Sequence, residues 1–152
     1  MNKIPINREV LVTRLEEIRK DIQELETFKT IPLEKFKKGR NFPVAEHYLR
    51  RALEAIFDIG THILSRVPGA RTTTYKEIAN LLGKFEIVPE DFAQNKLVKM
   101  AGYRNRLVHF YLEIKENELY QIIQKDLPDI EEFCTYIKRV LLKPQEFNLT
   151  IE

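Results

Sequence analysis

Apolar residues recur at spacings of three, four and seven through Val10, Leu11, Leu15, Ile18, Ile22 and Leu25. That is one stripe of an amphipathic helix. Asn7 stands ahead of it as an acceptable N-cap, and the helix is expected to reach about Phe28, before Thr30-Ile31-Pro32. Leu33 to Lys38 adds a turn or two until Gly39-Arg40-Asn41-Phe42-Pro43 interrupts it. Pro43 suits a first helical position. A second long helix is expected from Val44 to Arg66. Val44, Tyr48, Leu49, Ala52, Ala55, Ile56, Ile59, Ile63 and Leu64 make it apolar over much of its circumference, which marks the centre of a bundle.

Pro68-Gly69-Ala70-Arg71 ends that helix. Thr74, with Glu77 three residues on, forms the capping box of a helix over Tyr75 to Leu82, with Gly83 as its C′ residue. Pro89 opens a further helix carrying Phe92, Leu97, Met100, Leu107 and Val108. The last helix runs from Asn117 to Leu142, with Pro128 as a kink or break. No stretch alternates like a strand and no internal repeat is visible. The pattern predicts an all-α bundle of four to five helices: one domain over residues 1–144 and a C-terminal tail over 145–152.

Composition narrows the function classes. Hydrophobic residues at 43% and charged residues at 32% are a globular balance. The 25 basic and 23 acidic residues leave a net charge of +2, so no overall basic field advertises nucleic acid and any RNA contact must be local. Cys134 is the one cysteine; it excludes an intrachain disulfide or cysteine metal cluster and is read as core packing. Met1-Asn2-Lys3-Ile4-Pro5 lacks the apolar region of a signal peptide. No apolar run approaches the roughly 20 residues that span a bilayer. A cytoplasmic protein without membrane contact is expected.

His47, His62 and His109 form no spaced metal set, and His47 has no nameable partner. There is no Gly-x-Ser-x-Gly elbow, phosphate loop or dinucleotide fingerprint. No metal or other cofactor is expected. What remains is the polar cluster Tyr103-Arg104-Asn105-Arg106, ending at His109 and Tyr111. On an ideal helix at about 100° per residue, Arg104, Leu107, Val108 and Tyr111 share a face, and Asn105 and His109 share a neighbouring one. Arg104 and His109 then stand about 140° apart. A long arginine can still curl round, but one helix does not obviously aim both at one atom; a second copy across a two-fold axis would place two sets in a shared cleft, an arrangement the geometry hints at without demanding.

Those residue types suit RNA cleavage, in which the substrate's 2′-hydroxyl is the nucleophile. Histidine moves protons near neutrality. Arginine's fork matches phosphate oxygens, and Asn105 can hydrogen-bond His109 or a phosphate. An arginine and a histidine five residues apart equally suit a solvated or dimer-facing polar face, and spacing alone does not decide.

The stretch Met100-Ala101-Gly102-Tyr103-Arg104-Asn105-Arg106-Leu107-Val108-His109-Phe110-Tyr111 resembles the HEPN signature, an arginine, four to six residues and a histidine. The tyrosine two residues after the histidine resembles the HepT-like branch. Arg51-Ala52-Leu53, Asp58 to Ile63, Tyr75-Lys76-Glu77, Leu81-Leu82-Gly83 and Ile87-Val88-Pro89 resemble the rest of that branch, so the likeness covers most of residues 44 to 115. The resemblance implies a homodimeric HEPN-type bundle with the motif at the subunit cleft. It implies a metal-independent endoribonuclease, the toxin of a pair whose antitoxin is a minimal nucleotidyltransferase that adds AMP to the motif tyrosine. Arg104 and His109 become the catalytic pair, Asn105 their polar companion and Tyr111 the modification target. The alternative is a non-catalytic helical partner that binds the nucleotidyltransferase and helps hold its substrate.

Secondary candidates carry two readings each. Arg51, Asp58 and His62 form a polar stripe on the central helix. Either Asp58 and His62 pair at i,i+4 in a buried network, or Arg51 reaches the cleft and binds RNA. Arg106 contacts phosphate or is a solvated charge. Lys35-Phe36-Lys37-Lys38-Gly39-Arg40 tracks an RNA backbone or is soluble surface.

Overall fold

The computed structural model describes residues 4–109 and 112–152. Its helices, in chain order, are α1 (Arg8–Glu26), α2 (Leu33–Phe36), α3 (Asn41–Leu64), α4 (Tyr75–Lys84), α5 (Glu90–Phe92), α6 (Val98–Val108), α7 (Glu116–Lys125) and α8 (Leu127–Leu142). A π-helical turn, Ala93–Leu97, joins α5 to α6 without a break. The all-α architecture agrees with the hydrophobic pattern. Pro128 sits in the first turn of α8, so the last helix is two helices rather than one kinked rod. Among the described residues the nearest thing to a strand is a single parallel bridge, Ile6 to Ile151.

α3 is the axis of the core. Leu49, Ala52, Leu53, Ile56, Ile59 and Ile63 are all fully buried. α1 lies antiparallel to it, and the stripe from Leu11 is buried: Leu11, Ile18 and Leu25 retain no exposure, whereas Val10, expected in the same stripe, is exposed. Its capping residue is also the expected one, with Asn7 accepting from the Val10 N–H at 3.2 Å.

The polar stripe of α3 zips these two helices together, and it does so differently from the expected pairing. Arg51 faces the buried Asp21 at 3.5 Å, Asp58 faces Arg14 at 3.5 Å, and the His62 Nε2 accepts the Asn7 N–H at 3.0 Å. Asp58 and His62 therefore do not pair with each other. An i,i+4 pair on an exposed helix is worth only a few tenths of a kcal/mol, about 0.3–0.5, and partners from α1 displace it.

α4 is seated by two close approaches. A Cβ on Gly60 would lie 2.7 Å from Ile78 Cγ2, and one on Gly83 would lie 2.7 Å from the Ala93 Cβ. Gly83 is thus not the C′ residue expected. It lies inside α4, where the missing side chain admits the next segment, and the helix runs on to Lys84. The cap at the other end forms, with a small change. Thr74 Oγ1 accepts from the Glu77 N–H at 3.2 Å, while the Glu77 carboxylate accepts from the Thr73 N–H and hydroxyl at 2.9 and 2.6 Å. The reciprocal bond reaches one residue further back than a capping box would place it.

The residues after Pro144 are not a free tail. The Ile6 N–H donates to the Thr150 carbonyl at 2.7 Å, the Glu152 N–H donates to the Ile6 carbonyl at 3.0 Å, and Leu149 is buried. Leu149 supplies an apolar anchor, and the bridged backbone satisfies donors that would otherwise stay unpaired at the edge of the core.

Candidate active site on helix α6

α6 is fixed along one side by a polar ladder. Lys96 Nζ lies 3.6 Å from Asp129, and Lys99 Nζ 3.5 Å from Asp126. The Tyr103 hydroxyl donates to Asp126 at 3.0 Å. Arg106 grips Glu118 through two bonds of 2.6 Å. Positions 96, 99, 103 and 106 follow the three-and-four spacing of one helix face, and that face meets α7 and α8. Burial and the bond to Asp126 raise the Tyr103 phenol above its usual range, while Lys99 pulls it down.

Arg106 also donates to the carbonyls of Leu112 and Glu113, at 3.2 and 3.4 Å. Its Nε, Nη1 and Nη2 are all engaged. The solvated-charge reading and the phosphate reading both give way to a third: Arg106 clamps the loop after α6 to α7.

Arg104 projects to the other side, toward α3 and α4. Its guanidinium carbon lies 4.2 Å from the centre of the Tyr75 ring. One Nη is 4.0 Å from Glu54 Oε1, too long for a hydrogen bond. The Nε is buried without a hydrogen-bond partner, and among the described residues no hydrogen bond takes any of its donors. The side chain is 19% exposed.

α6 ends at Val108, and His109 caps it in an extended conformation, φ −102° and ψ 106°. The ideal helix considered for this stretch therefore ends before His109. The His109 N–H still reaches the Asn105 carbonyl at 3.2 Å, so a backbone link between these two residues survives. Asn105 is half-buried and His109 is exposed. Tyr111 lies outside the described residues. Arg51 is held by the buried Asp21 of α1 at 3.5 Å.

A HepT-like ribonuclease family model matches residues 16–137. The chain belongs to the HepT-like ribonuclease family. The matched span contains α3, α4, α6 and the Arg104-to-His109 motif. Among HepT-like relatives, the tRNA nuclease HepT of Aphanizomenon flos-aquae is 29% identical over 140 residues, covering 91% of this chain and 95% of that protein. The mRNA nuclease HepT of Shewanella oneidensis is 31% identical over 90 residues, 59% of this chain and 67% of that protein. In fold, the chain is similar to a tri-AMPylated Shewanella oneidensis HEPN toxin solved in complex with an MNT antitoxin. The TM-score is 0.78 and the identity 23%, with 87% of this chain and 98% of that one covered.

The chain's pattern gives no sign of the Tyr75 and Glu54 contacts of Arg104. Their link to Arg104 is tertiary, and no spacing in the chain signals it. Among the described residues no group of three or more His, Cys, Asp or Glu side chains could hold a metal ion, and no helix is long and apolar enough to cross a membrane. Burial pushes the Cys134 thiol up to about 11, which suits packing rather than reactivity.

Proposed function

We propose that this chain is a metal-independent endoribonuclease and the toxin of a toxin–antitoxin pair, with Arg104 and His109 as its catalytic residues. The observation that carries the reading is the condition of Arg104. Its guanidinium is held against Tyr75, yet no described residue hydrogen-bonds its Nη groups, which are left for phosphate oxygens, five residues before an exposed histidine. Family membership and two nuclease relatives support it.

In the reaction, His109 takes the proton of an RNA 2′-hydroxyl, which attacks the adjacent phosphorus. The 5′-oxygen leaves with a proton returned by a histidine, and the products carry a 2′,3′-cyclic phosphate and a 5′-hydroxyl. Arg104 binds the non-bridging oxygens, whose negative charge grows in the transition state. Asn105 orients His109 through the helix end. A homodimer would supply a second histidine, so one could act as base and the other as acid.

The proposed partner is a minimal nucleotidyltransferase that adds AMP to Tyr111. AMP places bulk and negative charge next to the motif and repels an RNA phosphate. The AMPylated state of the Shewanella toxin, similar in fold, supports this arrangement.

The test is cleavage of tRNA and mRNA in EDTA by protein whose Tyr111 is bare by mass spectrometry, beside Arg104→Ala and His109→Ala. Cleavage lost in both folded variants, with cyclic-phosphate ends, is the expected result. If bare wild-type protein cuts neither RNA, the chain is a non-catalytic partner of the nucleotidyltransferase instead.

A further inference from the structure

Arg104 and Arg106 stand two residues apart in one helix and are held by opposite means. Arg106 is fixed by hydrogen bonds, which occupy its donors. Arg104 is packed against an aromatic ring, and among the described residues no hydrogen bond takes its donors. That ring is Tyr75, whose centre lies 4.2 Å from the guanidinium carbon. Tyr75 is itself backed by Phe57, a buried α3 residue whose ring centre lies 5.3 Å from its own at 64°.

The backbone fixes Tyr75 equally well. It is the first residue of α4, directly after the Thr74 cap. Gly60 allows α4 to approach α3 closely enough for the stack to form. Arg104 Nε is buried with no hydrogen-bond partner, and the cation lies against a π surface.

We propose that Tyr75 is the positioning residue of Arg104: its ring seats the guanidinium and leaves the Nη donors, which no described residue hydrogen-bonds, for an RNA phosphate. The proposal rests on the ribonuclease reading of Arg104. A carboxylate in the place of Tyr75 would hold the arginine as firmly but would compete with the substrate for its donors. A planar ring holds the cation and leaves the edge of the fork open. Glu54, at 4.0 Å, balances the charge without closing a hydrogen bond.

The experiment uses the full chain with Tyr75→Phe and Tyr75→Met. Phenylalanine keeps the π face; methionine keeps apolar bulk against Phe57 but loses that face. Tyr75→Leu is a second variant should Tyr75→Met fold poorly, and all assays run well below each variant's melting temperature. Tyr75→Met is expected to lower kcat by about ten- to a hundredfold, the cost of a misplaced catalytic group, with KM changed by less than about threefold. Tyr75→Phe should stay within about threefold of wild type in both constants.

Full kcat in Tyr75→Met would overturn the proposal. An independent readout is the NMR shift of the Arg104 Nε proton. The ring current should move it upfield in wild type and Tyr75→Phe but not in Tyr75→Met; an unchanged shift in Tyr75→Met likewise overturns the stack. If wild-type protein cuts no RNA, the ribonuclease reading fails, and this shift still decides whether Tyr75 holds the arginine.

Discussion

Arg106 and Glu118 meet as a two-pronged pair, with Nη1 and Nη2 each 2.6 Å from a carboxylate oxygen. The pair fixes the end of α6 against α7, and the same guanidinium donates to the carbonyls of Leu112 and Glu113. The segment that begins with His109 is thereby bracketed. Arg106→Ala is expected to lower the melting temperature by roughly 2–4 °C, because the pair is solvent-screened and worth at most about 1 kcal/mol. It should also lower kcat, and Glu118→Gln should do part of the same. RNA binding separates this clamp from a phosphate contact. The slope of log affinity against log salt should fall by about one in Arg104→Ala and stay unchanged in Arg106→Ala.

Arg104→Lys tests the fork itself. Lysine keeps the charge but offers one ammonium in place of a planar guanidinium, and it cannot stack face-on against Tyr75. Cleavage should fall nearly as far as in Arg104→Ala, while the melting temperature stays close to wild type. Activity near the wild-type level would mean that charge alone suffices.

The parts of this architecture visible in the chain are those set by local pattern. The stripe from Leu11 to Leu25, the Asn7 cap and the Thr74 cap each depend on residues within a turn or two, and each forms. Some misses come from tertiary partners and others from backbone features that no residue type marks. Asp58 and His62 have i,i+4 spacing, but Arg14 and Asn7 claim them. Ala93–Leu97 reads as ordinary helix and is a π-helical turn, a one-residue register change with no side-chain signature. At the site, Arg104 and His109 were legible from their motif. The end of the helix at Val108 was not, since no glycine or proline marks it, and Tyr75 is separated from Arg104 by nearly thirty positions of chain.

Asp21 gives stability a pH dependence of defined sign. Burial pushes its carboxyl up to about 6, while Arg51 pulls it down, and its Oδ2 has no hydrogen-bond partner. The folded chain therefore holds this proton more tightly than the unfolded chain, which releases it near about 4. The contribution is complete below about pH 4 and is lost as pH rises through 6. Asp21→Asn should remove that slope. Relative to wild type, its urea midpoint is expected to rise between pH 4 and pH 7; a parallel profile would refute the assignment.

His62 works in the opposite direction. Its Nε2 accepts the Asn7 N–H, which requires the neutral ring, and burial followed by the charge of Arg66 lowers its titration below the usual range. Its contribution is present above the ordinary histidine value, about 6.5, and is lost as pH falls through the folded value. The paired ends of the chain lie next to this bond, since Arg66 also donates to the Pro5 carbonyl at 3.2 Å and Ile6 pairs with Thr150 and Glu152. Acidification should therefore loosen Ile6 and Thr150 before the core, seen as faster amide exchange at Ile6. In His62→Ala that early exchange should already be present at neutral pH.

Gly102 offers a test of the proposed dimer at the motif helix. It lies two residues before Arg104, inside α6, and a Cβ there would meet nothing within 4 Å in a single chain. The conformational cost of glycine in a helix is about 0.5–1 kcal/mol, so Gly102→Ala should stabilise the isolated chain by that amount. Gly60→Ala, whose Cβ would strike Ile78 at 2.7 Å, should instead destabilise it by about 1–3 kcal/mol. Thermal melts over a range of protein concentrations read both effects. Gly102→Ala is expected to raise the melting temperature at every concentration. A loss that appears only at concentrations where the wild type is dimeric would place a second copy directly over Gly102, against the α6 surface that carries the motif.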